Sequence, residues 1–231
     1  MRDGRAAHRL HPFLHGSTVA HRLSLKSRQA KLQILLTEAG DDPRKWLLDV
    51  GAGGEWEHSE NNLEAEYPYP DRIVVVSIEG AIHVLKRKYP RPQWVQADGL
   101  DLPFADKGFD ISFANAVIEH IAGDDARRQF VSEMMRVSRC CIITTPNALF
   151  PVEAHSRLPF AHWLPDEWFN WLTHRLGIGF ISKGSGGYFS PITSGQLRSY
   201  FPSGENVRVR FGWLGMTLIA VCKEAKCCQG A

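Results

Sequence analysis

Hydrophobic and polar positions in this chain follow two periods in turn, and their order predicts the architecture. Over residues 24 to 39 the apolar positions Leu32, Leu35 and Leu36 recur at helical spacing, and Gly40 is placed to end the helix. Short apolar, β-branched runs follow near 46–50, 73–78, 93–96, 109–114 and 140–145, with helical stretches between them that include about 80–88 and 124–137. Strands alternating with helices predict a mostly parallel sheet with ligands at the C-terminal ends of its strands. Two more strands, about 206–211 and 216–222, are separated only by Gly212 to Gly215, which is hairpin spacing.

Polar chemistry collects at the ends of these strands. The first runs Leu47-Leu48-Asp49-Val50-Gly51-Ala52-Gly53, an apolar stretch that breaks into glycines just after an acid. Glycines in such a turn admit backbone angles barred to other residues and let main-chain N–H groups approach a bound molecule. The dinucleotide fingerprint is not completed, because Trp56 stands where its third glycine would fall, so a pyrophosphate loop is disfavoured. The second strand, Ile73 to Ser77, leads through Ile78 to Glu79. The third leads into Asp98-Gly99-Leu100 and then Leu102-Pro103-Phe104, and the fourth, from Phe109, turns polar through Asn115, Glu119 and His120.

This series resembles the class I S-adenosylmethionine-dependent methyltransferases, in the broad methyltransferase type 11-like group whose motifs read acid-x-Gly-x-Gly, strand-end acid, D-x-x-x-L-P-F and F-D followed by a distant histidine. The resemblance covers about residues 45–147 well, and 190–223 is compatible with the closing strands. Two departures stand out: Glu55 replaces the usual third glycine, and about ten extra residues separate the glycine turn from the second strand. The implied fold class is α/β, a Rossmann-like doubly wound sheet of seven mostly parallel strands with a terminal antiparallel hairpin. The implied cofactor is S-adenosylmethionine. Its site would comprise Asp49, Gly51 and Gly53 at the turn, Glu79 on the ribose diol, Asp98 on the adenine amino group, the Gly99 and Leu100 backbone on the ring edge, and Asn115 near the methyl. Asn62 or Glu64 would face the cofactor tail from the stretch 56–70, where at most a short helix around 62–66 is expected.

Composition fits one soluble domain: 231 residues, 44% hydrophobic and 23% charged. No apolar run approaches the roughly 20 residues that span a bilayer. A net charge of +2 gives no reason to expect a nucleic-acid partner. Positive charge is concentrated at the start, where Arg2, Arg5, Arg9, Arg22, Lys26, Arg28 and Lys31 face only Asp3. Residues 1–23 are read as a basic arm, either a targeting segment, a solvated tail or a cover for the cofactor, and 24–231 as the domain. Five cysteines without a C-x-x-C pair suggest no disulfide framework and no zinc site, so a cytoplasmic, reducing setting is expected.

Acceptor chemistry is expected in two places. One is Asn115, Glu119 and His120. The other is an aromatic-rich insertion at about 148–190, where Glu153, His155 and His162 are candidate bases or acceptor ligands for a small-molecule acceptor, with His155, His120 and Glu153 first among the catalytic candidates. No metal is expected, because the two histidines His155 and His162 lack a third ligand. Trp163, Trp168 and Trp171 suit a lid over an apolar acceptor, a helix packed on the sheet edge, or peripheral membrane contact through 160–180. Two rivals remain: a nicotinamide- or nucleotide-sugar-dependent oxidoreductase, and a catalytically silent binding protein or scaffold on the same fold.

Overall fold

The computed structural model describes residues 18–40, 42–52, 63–78, 81–152, 158–176 and 189–224. Its strands are β1 (Leu47–Val50), β2 (Ile73–Ser77), β3 (Gln93–Gln96), β4 (Phe109–Asn115), β5 (Ser138–Pro146), β6 (Val207–Phe211) and β7 (Thr217–Lys223). Its helices are α1 (Thr18–Ala39), α2 (Leu63–Glu66), α3 (Ala81–Lys88), α4 (Asp124–Val137), α5 (Asp166–Arg175) and α6 (Ser194–Ser199). The seven strands form one sheet in the order β3-β2-β1-β4-β5-β7-β6. All neighbours are parallel except those of β7, which runs antiparallel to both β5 and β6. The strand order reverses beside β1, so the crevice where such sheets take ligands lies at the C-terminal ends of β1 and β4.

The two-residue period of the strands sorts side chains into two cores. Leu48 and Val50 of β1 face Phe130, Val131, Met134 and Val137 of α4, together with Leu197 of α6. Leu47, Ile73, Val75, Ile111 and Ile142 face the other way, onto Leu35 and Ala39 of α1, with Leu63 and Tyr67 beside them. Asp49 shares the second face, which is why it is buried while its sequence neighbours pack as ordinary apolar residues.

Strand positions agree with the sequence pattern to within two residues, and the short helix at 63–66 lies inside the expected stretch. Two differences have physical causes. Helix α1 begins at Thr18, six residues before the expected domain boundary, because Ser27 is anchored by its hydroxyl to that of Thr217 at 3.2 Å and the helix runs on past this contact. Helix α6 was not anticipated: its apolar pattern is one buried leucine, Leu197, and a capping box between Thr193 and Gln196 defines its start.

Candidate functional site

The turn after β1 is built around Gly51. Its φ is +89°, and its N–H donates to the Val76 carbonyl at 2.8 Å, tying the turn to β2. A Cβ at Gly51 would run into the Val117 side chain, so this glycine is required both by conformation and by packing. Ser77, at the end of β2, braces the turn from below: its hydroxyl donates to the Ala52 carbonyl at 2.7 Å. Sequence reasoning missed this serine because a small hydroxyl at a strand end carries no distinctive pattern.

Asp49 lies under the turn, buried, with its carboxyl hydrogen-bonded to the equally buried Glu64 of α2. Burial first, then the charge and hydrogen bond of Glu64, push the Asp49 carboxyl well above its ordinary range. Burial also raises Glu64, against the opposing effects of its own backbone, the hydrogen bond from Asp49 and the charge of Lys88. The Asp49 carboxyl is thus the protonated donor and Glu64 the acceptor.

At the end of β3 the Asp98 carboxylate accepts from the Leu100 N–H at 2.9 Å, which folds Asp98-Gly99-Leu100 into a tight turn with Asp98 exposed. A Cβ on Gly99 would come within 2.8 Å of the Phe130 ring, so packing on α4 demands glycine here. The Leu100 carbonyl accepts from Gln129 Nε2 at 2.9 Å. At the end of β4, Asn115 Oδ1 accepts from Lys31 Nζ and from Thr144 Oγ1, both at 2.8 Å. With that oxygen engaged, Asn115 offers a ligand its amide donors. The Lys31 contact could not be read from the sequence, since it joins residues 84 positions apart.

These groups, Asp49, Gly51, Asp98 to Leu100 and Asn115, lie at the C-terminal ends of three strands, β1, β3 and β4, of the sheet. Gly53, Glu79 and Asn62 lie outside the described residues, as do Glu153 and His155. The described polar set suits a ligand with amine, hydroxyl and heteroaromatic donors, because it presents carboxyl groups and main-chain amides. Among the described residues no group of three or more His, Cys, Asp or Glu is arranged to hold a metal ion.

On the acceptor side, His120 ends the short 3-10 turn Ile118–His120, exposed, with its ring tilted against Phe189 at 6.2 Å between centroids. Glu119 is fully buried: it accepts from Thr145 Oγ1 at 3.0 Å, while its carbonyl accepts from the Ser190 N–H at 2.9 Å, so it joins β5 to the returning end of the insertion. His162 is buried in the 3-10 turn Ala161–Trp163, with Nε2 3.0 Å from the Ala148 carbonyl. A carbonyl only accepts, so Nε2 carries the proton and Nδ1 presents a lone pair, which meets no hydrogen-bond partner among the described residues. Ala148 lies two residues beyond β5, which holds this imidazole at the same edge of the sheet as the strand ends above.

Comparison with known proteins agrees with this geometry. Residues 48–140 match a family model described as "Methyltransferase domain". Comparison with curated proteins gives no match. Among solved structures, the methyltransferase domain of bacterial CtHen1 is 15% identical with a TM-score of 0.54, over 86% of this chain and 100% of that one. Magnesium protoporphyrin IX methyltransferase (ChlM) from Synechocystis PCC 6803, with bound SAH, is 12% identical with a TM-score of 0.56, over 89% of this chain and 84% of that one. PigF with SAH is 15% identical with a TM-score of 0.52, over 90% of this chain and 64% of that one. At these identities the likeness is one of fold.

Proposed function

We propose, from the premise that the chain carries a domain of the class I S-adenosylmethionine-dependent methyltransferase family, that it transfers a methyl group to an oxygen or nitrogen of a small-molecule acceptor. The observation that supports this reading is the sheet order β3-β2-β1-β4-β5-β7-β6, whose switch point lies at the ends of β1 and β4, with the Gly51 turn and Asn115 at those strand ends and Asp98 beyond the end of β3. Bound there, S-adenosylmethionine supplies an electrophilic methyl on a sulfonium. The protein's part is binding, orientation and proton transfer.

Asp98, with its turn fixed by the Leu100 N–H, is assigned to the adenine amino group, and the Gly99 and Leu100 backbone to the ring edge. Glu79, two residues past the end of β2, is assigned to the ribose diol. The Asp49–Glu64 pair and the glycine turn, including Gly53, are assigned to the cofactor's amino-acid tail, and the Asn115 amide to the edge nearest the acceptor. Holding a nucleophile in line with the methyl is worth roughly 7–11 kcal/mol of a barrier, so positioning is the main catalytic device. An oxygen nucleophile must also lose its proton. His162 meets that need with a buried Nδ1 lone pair that has no hydrogen-bond partner among the described residues, and His155, Glu153 and His120 remain further candidates. The three buried free thiols, Cys140, Cys141 and Cys222, favour work in a reducing, cytoplasmic setting.

The test is calorimetric titration of the chain with S-adenosylmethionine, with its demethylated product and with NAD. Binding of the first two, and none of NAD, is the expected result. Binding of NAD alone would replace this reading with the oxidoreductase one. Binding of S-adenosylmethionine without turnover across hydroxylated and amine-bearing metabolites would favour a silent binding protein.

A further inference from the structure

Helix α5, in the insertion after β5, is packed on one side only. Phe169 and Thr173 turn inward, and Phe169 meets Ala161, Leu158 and Leu172. Glu167, Trp168, Trp171, His174 and Arg175 recur at helical spacing on the other side and make one exposed stripe. Trp168 and Trp171 are 64% and 62% exposed, a large apolar area to leave in water on a ten-residue helix.

The chemistry along this stripe is arranged about Trp171. Glu167 lies four residues before it and Arg175 four after, while Trp168 lies three before and His174 three after. Laid antiparallel on an identical helix, about a two-fold axis through Trp171, the stripe sets Glu167 opposite Arg175 of the second copy and Arg175 opposite its Glu167. Trp168 then faces His174 of the second copy, and the two Trp171 rings meet on the axis. A parallel arrangement would set Glu167 against Glu167 and Arg175 against Arg175, so charge selects the antiparallel one. The helix dipoles agree, since each positive N-terminal end comes beside a negative C-terminal end.

We propose that α5 pairs with α5 of a second copy of this chain, antiparallel and centred on Trp171, in an isologous dimer. Charge complementarity selects this occupant: the acidic first turn and basic last turn of the helix satisfy each other across the two-fold. Buried aromatic side chains cover roughly 150–250 Å² each, so four partly exposed tryptophans contribute on the order of 400–600 Å². Specific interfaces bury about 1,200–2,000 Å² in total, so the helix pair makes a small interface and a reversible dimer. Phe169 rests on Ala161, the neighbour of His162, so the pairing would brace the turn that carries that imidazole.

The experiment is sedimentation-velocity ultracentrifugation of the full chain from about 1 to 200 μM, the range over which a small interface dissociates. The expected result is a monomer–dimer equilibrium that Glu167→Arg and Arg175→Glu each weaken about tenfold or more, because the two-fold counts every substitution twice. Mixing those two variants should restore association, since each then meets its opposite charge. The double exchange Glu167→Arg/Arg175→Glu should restore it within one chain, and Trp171→Ser should abolish it. All three side chains are exposed, so circular dichroism should be unchanged in every variant. A monomer at every concentration overturns the proposal, as does a dimer indifferent to the charge exchanges or not restored by mixing. A monomer that sediments with phosphatidylcholine vesicles would give the face to lipid and equally overturns it. Association is read without cofactor or acceptor, so failure here and failure of the methyl-transfer reading are distinguishable.

Discussion

The buried pair of Asp49 and Glu64 trades stability for a site. The folded chain holds the Asp49 proton at pH values where the unfolded chain has released it, since burial and Glu64 raise that carboxyl well above its ordinary range. From the ordinary carboxylate range upward the native state therefore binds more protons, and stability falls as pH rises toward the raised folded values. Asp49→Asn keeps a donor for Glu64 and removes the titration. It should raise Tm by about 2–4 °C at pH 7.5, equivalent to about 1 kcal/mol, and by little near pH 4, while weakening S-adenosylmethionine binding. Differential scanning fluorimetry at the two pH values checks this, and an equal rise at both would show that the pair does not share a proton. His162 makes a second residue-scale prediction. His162→Gln should lower turnover about 10²–10⁴-fold, with cofactor affinity nearly unchanged, if the Nδ1 lone pair takes the acceptor's proton. Thermal melting of the variant separates roles: loss of a base alone leaves Tm near that of the parent, whereas loss of a packing residue lowers it along with turnover.

At the scale of elements, the Leu102-Pro103-Phe104 segment is explained by what α4 does to it. Arg136 donates to the carbonyls of Leu102 and Phe104 at 2.8 and 2.7 Å and to Asp106 at 2.9 Å, and it pairs with Glu133 at 2.7 Å. Glu133 in turn accepts from the Leu102 N–H at 2.8 Å. Leu102 is buried, and Phe104 meets Phe109 edge to face with centroids 5.0 Å apart. The motif thus clamps the connection between β3 and β4 to α4, one turn beyond Asp98. Arg136→Ala should cost about 1.5–3 kcal/mol, the scale of a hydrogen bond to a charged group, and speed amide exchange at Leu102 and Phe104. Strands were legible because each is a β-branched run bounded by turn residues, and their order followed from alternation with helices. The clamp was not, because Arg136 reads as one more exposed base in the last turn of a helix. Likewise the sequence marks Asp49 as a strand-end acid but cannot show that Glu64, across the stretch 53–62, comes to face it.

Over the whole molecule, α1 ties the fold to the site. Leu35 and Ala39 fill the face of the sheet formed by Leu47, Ile73, Ile111 and Ile142, while the same helix reaches Thr217 through Ser27 and Asn115 through Lys31. A helix that both closes a core and contacts two strand ends cannot detach without opening the sheet, so α1 should unfold with the rest. Leu35 is fully buried, and Leu35→Ala should cost about 2–5 kcal/mol from lost burial and the cavity left behind. In urea the midpoint should fall while the slope of the transition is unchanged, because the same surface is exposed on unfolding. The tryptophans report from both cores and the insertion, with Trp46 and Trp94 partly buried against the two faces of the sheet. Tryptophan fluorescence and far-ultraviolet circular dichroism should therefore trace one coincident transition in both proteins. A separate early phase in the circular dichroism of the variant, with fluorescence unmoved, would show that α1 is an independent unit and that its bonds to Asn115 and Thr217 do not couple it to the site.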